Sequence, residues 1–189
     1  MKVGVLGLQG DFREHLQILR SLGVGARDVR TVDQLNETQG LIIPGGESTT
    51  ISLLMERTGL MDALQKKARE NFPIYGTCAG MILVAKEVTN YQKSYLSLID
   101  ISVRRNAYGR QVDSFEADLN IKSVGLFRAV FIRAPQIERV GSKVEVLAEH
   151  DGIPVMARQK NILVSSFHPE LTGDTRVHEY FLKMIKQGA

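Results

Sequence analysis

A single cysteine, Cys78, occurs in the 189 residues, which excludes an internal disulfide. The four histidines (His15, His150, His168 and His178) lack the close spacing of a zinc site, so a zinc site is not expected; a cofactor is not expected either. No apolar run approaches the roughly 20 residues that a membrane span needs. The apolar start, Val3 to Leu8, is short and is soon followed by Asp11, Arg13 and Glu14, which suits a first strand and not a signal peptide. A cytoplasmic protein with no membrane partner is therefore expected. Concentrated positive charge is missing too. Twenty-four basic residues against 21 acidic give a net charge of +3, and the longest basic runs are the pairs Lys66-Lys67 and Arg104-Arg105. That is too diffuse for a nucleic-acid footprint. There is no internal repeat, low-complexity tract or linker. The length allows one well-buried core and is short for two, so residues 1–189 are expected to form a single domain.

What is present is an alternation of strand and helix patterns. Lys2 to Leu8 is a continuous apolar run of the kind a buried strand shows. Asp11 to Leu22 carries Phe12, Leu16, Leu19 and Leu22 at helical spacing and is stopped by Gly23. Strands are expected over Arg27–Thr31, Gly40–Ile43 and Pro73–Thr77. Helices are expected over Ser48–Thr58, Leu60–Glu70 and Ala79–Glu87. Further strands are expected over Ile101–Arg105, Ala129–Arg133, Val144–His150, Ile153–Gln159 and Ile162–Phe167, with turns such as Asp151-Gly152 making much of this half antiparallel. Asp174–Lys186 closes as a helix with Val177, Tyr180, Phe181, Met184 and Ile185 on one face. Alternating β/α units point to an α/β fold with a largely parallel sheet and helices on both faces, extended by the later strands.

Three strand ends carry chemistry. The first is Gly76-Thr77-Cys78-Ala79-Gly80, where a strand runs through Gly-x-Cys-x-Gly into a helix. This is the nucleophile-elbow pattern with cysteine in place of serine. Side chains at the two glycines would collide with neighbouring backbone, and a helix N-terminus beside Cys78 favours thiolate. The second is Phe167-His168-Pro169-Glu170. In an extended segment, residues two apart point to the same side, so Glu170 can orient His168 while His168 takes the thiol proton. The third is Pro44-Gly45-Gly46-Glu47-Ser48, a glycine pair between strand and helix. Here Gly46 can supply an oxyanion donor together with the Ala79 N–H. Taken alone, each element has a plain structural reading; together they form a set suited to acyl transfer.

These elements, in this order, resemble the class I (triad-type) glutamine amidotransferases. Within that family the chain is most similar to the branch that serves as glutaminase subunits of pyridoxal 5′-phosphate synthases. The branch resemblance lies in Gly7-Leu8-Gln9-Gly10, in Pro44 to Thr50, in Arg105 to Glu116 and in Phe131-Ile132-Arg133-Ala134-Pro135. It implies a flavodoxin-like three-layer fold and hydrolysis of L-glutamine to glutamate and ammonia. It also implies Cys78 as nucleophile, His168 as base and later acid, and Glu170 as orienter. Gly46, Glu47, Ser48, Arg105, Ile132 and Arg133 would then form the glutamine site. Arg105 and Arg133 suit a carboxylate clamp, although Arg104 is a rival for Arg105's part. Ammonia would pass to a (β/α)₈ synthase subunit, with glutaminase subunits decorating a twelve-subunit ring. The resemblance further implies weak activity until docking. The rival reading is the glutaminase of another amidotransferase, such as imidazole-glycerol-phosphate synthase; Gly109 to Glu116 argues against it. Asp113 and Glu116 are read as structural or partner contacts, and His15 and His178 as surface residues.

Overall fold

The structure, a computed structural model, describes residues 1–91, 93–107 and 114–188. Seven strands form the central sheet: β1 (Lys2–Leu6), β2 (Gly25–Val29), β3 (Leu41–Ile43), β4 (Ile74–Thr77), β10 (Glu145–His150), β11 (Ile153–Gln159) and β12 (Ile162–Ser165). Their order is β10-β11-β12-β4-β3-β1-β2. The five strands from β12 to β2 pair in parallel, and β11 and β10 add an antiparallel extension. This is the doubly wound, flavodoxin-like arrangement.

The parallel strands are apolar on both faces because helices cover both faces. Along β3, Leu41 and Ile43 pack into one core while Ile42 packs into the other; along β4, Ile74 and Tyr75 divide in the same way. The first core is closed by α2 (Val32–Asn36), α3 (Ser48–Arg57), α4 (Leu60–Arg69) and α5 (Ala79–Val84). The second is closed by α1 (Phe12–Ser21) and α6 (Arg176–Gln187). Full burial of each Val, Leu or Ile contributes about 1.5–3 kcal/mol, so this two-sided period holds the layers in register.

Several expectations need correction. The helix expected over Ala79–Glu87 ends at Val84, where Ala85 turns extended (φ −61°, ψ 147°) and begins β5 (Ala85–Val88). Pairing wins there: β5 joins β6 (Ile99–Arg104) and β9 (Gln136–Val140) in a separate small sheet. The expected strand over Ala129–Arg133 belongs to β8 (Gly125–Ile132), which pairs with β7 (Ser114–Ile121) as a two-stranded ribbon. Neither β6 nor β8 therefore extends the main sheet. The short helix α2 was not expected, although Thr31 and Gln34 form its capping box and stand in sequence as that signal. The strand expected to reach Phe167 ends at Ser165.

No helix among the described residues is long and apolar enough to cross a membrane. Lys66 and Lys67 sit in the last turn of α4, where they complement the helix C-terminus.

Candidate active site

Parallel α/β sheets open their crevices at the carboxyl ends of the strands, and here the ends of β3, β4 and β12 converge. Cys78 follows β4 directly. Its backbone lies in a strained region (φ 48°, ψ −105°), and its N–H donates to the Ser165 carbonyl at the end of β12, 2.8 Å away. The flanking glycines make this bend possible. A Cβ on Gly76 would strike the Gly80 carbonyl, and one on Gly80 would strike the Ile43 carbonyl of β3. The collisions expected from sequence are therefore real. They lock the turn against the neighbouring strand and push Cys78 up at the mouth of α5.

His168 and Glu170 meet by a different geometry from the one expected. Beyond β12 the chain does not stay extended: Pro169–Leu171 forms a 3-10 turn, with His168 at its start (φ −103°, ψ 88°). The turn folds Glu170 back so that its Oε1 lies 2.7 Å from His168 Nδ1. Nδ1 is thus occupied, which leaves Nε2 for Cys78. Burial favours the neutral imidazole. The neighbouring Cys78 and the hydrogen bond to Glu170 outweigh that and raise the His168 pKa to about 10, although Nε2 has no aligned hydrogen-bond partner. The imidazolium is the charge state of His168 that this favours. Glu170 is itself held above its ordinary value by burial, an effect that the neighbouring His168 offsets only in part.

A cleft of about 430 Å³ opens over Cys78. Gly46, Glu47, Ser48, Ala79, Arg105, Ile132, Arg133 and His168 all line it, and Glu170 stands behind His168 outside the lining. Every expected site residue is therefore either on the cleft or directly behind it. Ala79 opens α5, so its N–H is among those without a partner inside the helix. The Ile132 carbonyl lies 3.9 Å from Cys78 Sγ, so this residue meets the cysteine through its backbone. Arg133, at the end of β8, takes a left-handed backbone (φ 42°). Arg105 lies 3.1 Å from Glu47 and over the ring of Tyr91 (5.0 Å). Arg104 pairs with Glu138 at 3.6 Å and is not on the cleft. The geometry thus separates the two arginines that the sequence left as rivals.

The chain is matched over residues 5–187 by the model of the SNO glutamine amidotransferase family. The chain belongs to that family. A protein of Thermosipho africanus named pyridoxal 5′-phosphate synthase subunit PdxT is 55% identical over 188 residues, covering 99% of this chain and all of the relative (100%). One of the same name from Pseudothermotoga lettingae is 59% identical over 186 residues, covering 97% of this chain and 95% of the relative. A crystal structure described as a glutamine amidotransferase superimposes with a TM-score of 0.94 at 49% identity, covering 97% of this chain and 98% of that chain. The likeness to this family thus covers nearly the whole chain in both sequence and fold.

The sequence assigned no role to several residues that line the same cleft. Gln9, Asp11, Asn106 and Leu171 also line the cleft. Gln9 Oε1 accepts the Glu47 N–H at 2.8 Å and the Asp11 N–H donates to the Gly45 carbonyl at 3.1 Å, so the glycine loop is pinned from the end of β1. Gln9 stands in a segment that carries the family resemblance, and that was its only signal. Asp11 Oδ2 lies 3.6 Å from His168 Nδ1. His15 and His178 are a correction: both are fully buried, not on the surface, and their rings meet at 2.9 Å behind Glu170. Glu116 pairs with Arg128 across the ribbon at 2.9 Å. Gly109 to Asp113 lie outside the described residues.

Proposed function

We propose that the chain is a single-domain glutaminase subunit of a pyridoxal 5′-phosphate synthase. It hydrolyses L-glutamine to L-glutamate and passes the ammonia to a (β/α)₈ synthase subunit, whose lyase chemistry builds the vitamin B6 cofactor. The full-length likeness to relatives bearing that name supports this reading. It does not favour the glutaminase of imidazole-glycerol-phosphate synthase. The observation that carries the chemistry is Cys78 in its strained elbow, beside an imidazole held by a buried carboxylate.

The Cys78 thiolate attacks the side-chain carbonyl of glutamine. The C–N bond breaks as a thioester forms, and His168 gives its proton to the departing ammonia. Then His168 takes a proton from water, which attacks the thioester and releases glutamate. Gly46 and Ala79 supply the oxyanion N–H groups. Arg105 and Arg133 hold the charged end of the substrate, with Glu47, Ser48 and Ile132 shaping its seat. No cofactor is invoked.

The loop holding Gly46 is pinned by Gln9 and Asp11. Docking onto the synthase, in a cytoplasmic assembly built on a twelve-subunit ring, would rearrange it and switch hydrolysis on. The test is glutamate release by the chain alone and with a purified synthase subunit. Activation by the partner is expected. No release in either case overturns the reading.

A further inference from the structure

Three histidines and one carboxylate, separated in sequence by up to 163 residues, form a continuous buried row. His178, on α6, presents Nε2 to His15 Nδ1 at 2.9 Å. His15, on α1, presents Nε2 at 3.3 Å to Thr77 Oγ1 and at 3.3 Å to Glu170 Oε2. The side chains of His15 and Glu170 are fully enclosed (0% exposed). Glu170 Oε1 is taken by His168, while Oε2 has no aligned hydrogen-bond donor and lies 3.3 Å from His15 Nε2. The His178 Nδ1 is likewise buried and without a partner.

The tautomers follow from this arrangement. In the His15–His178 contact one nitrogen donates and one accepts. If His15 donated from Nδ1, its Nε2 lone pair would face the Glu170 carboxylate, and the His178 Nδ1–H would be left buried with no acceptor. With His178 donating from Nε2, His15 accepts at Nδ1 and turns an Nε2–H toward Oε2. Glu170 then has His168 hydrogen-bonded to Oε1 and, 3.3 Å from Oε2, an N–H dipole of favourable sign that is shared with Thr77 Oγ1. Burial, His178 and His168 all keep His15 from protonating, so it acts as a neutral dipole and adds no charge to the row. Other groups bearing on the row are Thr77 and Tyr75 on β4 and Asp11 on the turn into α1.

We propose that His15 is a positioning residue for the catalytic pair. Its Nε2–H faces Glu170 Oε2 and keeps that carboxylate ionised, and His178 fixes the His15 tautomer. The consequence for turnover rests on the glutaminase reading; the consequence for the Cys78–His168 pair does not.

The test uses the full chain, whose single cysteine makes alkylation by iodoacetamide report on Cys78 alone. His15→Leu keeps an apolar filler without the donor, and His15→Gln keeps a donor near the Nε2 position. In His15→Leu, the pH midpoint of alkylation is expected to move up by about one unit, because an unsupported Glu170 holds the imidazolium less well. With the synthase subunit present, kcat for glutamine should fall about tenfold with KM unchanged. His15→Gln should restore most of both. A folded His15→Leu protein with the parental alkylation profile overturns the proposal. Equal losses in the Leu and Gln variants overturn it as well, since packing alone would then explain them. Nitrogen NMR of the histidine-labelled parent chain needs no variant: a proton on His15 Nε2 is expected, and a proton on Nδ1 overturns the assignment. If the parent chain releases no glutamate with the synthase while its alkylation profile still shifts in His15→Leu, the glutaminase reading fails and this proposal stands.

Discussion

Glu47 holds Arg105 at 3.1 Å across the cleft while the same carboxylate caps α3 by accepting the Thr50 N–H at 2.9 Å. The guanidinium proposed to clamp the substrate is therefore already oriented by a residue anchored to a helix end. Hydrogen bonds from Thr49 and Thr50, together with Arg105, hold the Glu47 carboxyl below its ordinary value against the opposing effect of burial. Glu47 thus stays ionised and available to the guanidinium.

Arg105→Ala is expected to raise KM for glutamine by about 10- to 100-fold, the loss of a charge-assisted contact, with little change in kcat. Arg104→Ala should leave both constants unchanged, because its partner is Glu138. Steady-state glutamate release in the presence of the synthase subunit checks the pair.

Cys78→Ala should abolish glutamine-dependent synthesis of pyridoxal 5′-phosphate while ammonium salts still support it. Glutamine-dependent synthesis at the parental rate would remove Cys78 from the mechanism.

Glu170→Gln keeps the size of the side chain but removes the charge 2.7 Å from His168. Turnover is expected to fall by about 100-fold, and the melting temperature should drop by roughly a few degrees, because the amide NH2 leaves one buried donor without an acceptor. Activity and melting temperature measured on the same preparation separate the two effects.

Gly80→Ala places a methyl group against the Ile43 carbonyl. Overpacking of that kind costs about 1–3 kcal/mol. The melting temperature should drop by roughly 2–10 °C, and Cys78 alkylation should slow as the elbow shifts. A melting temperature equal to that of the parent would show that β3 gives way freely.

Acid should destabilise the fold through the buried histidines. Burial lowers the His178 pKa from 6.5 to about 4. The stability that comes from keeping this ring neutral is complete above pH 6.5 in the unfolded reference. It is lost as pH falls from 6.5 toward 4, where the unfolded chain binds a proton that the folded chain refuses. By pH 5 the loss is roughly 2 kcal/mol. His178→Gln, which cannot titrate, should show a smaller drop in melting temperature between pH 7 and pH 5 than the parent chain. Parallel drops would mean that other groups set the acid limit.

Local sequence was enough to foresee much of this protein. The apolar runs at β1, β3, β4 and β12 mark buried parallel strands because only helices on both faces can use them. Gly-x-Cys-x-Gly marks the elbow because its steric demand is confined to five residues. Helices α3 and α4 break at Gly59, which takes a left-handed backbone (φ 72°) as a glycine does readily. What tertiary structure decided was non-local. Ala85–Val88 leaves the helix because β6 offers it a pairing partner. The 3-10 turn at Pro169, and not strand alternation, brings Glu170 onto His168. Arg105 and Arg104 are adjacent and alike in charge, and only the cleft tells them apart. His15 and His178 read as polar positions on amphipathic helices, yet both are buried. The reason is that a buried polar side chain is tolerated when it meets a hydrogen-bond partner, and theirs are each other and Thr77, supplied by three separate segments of the chain.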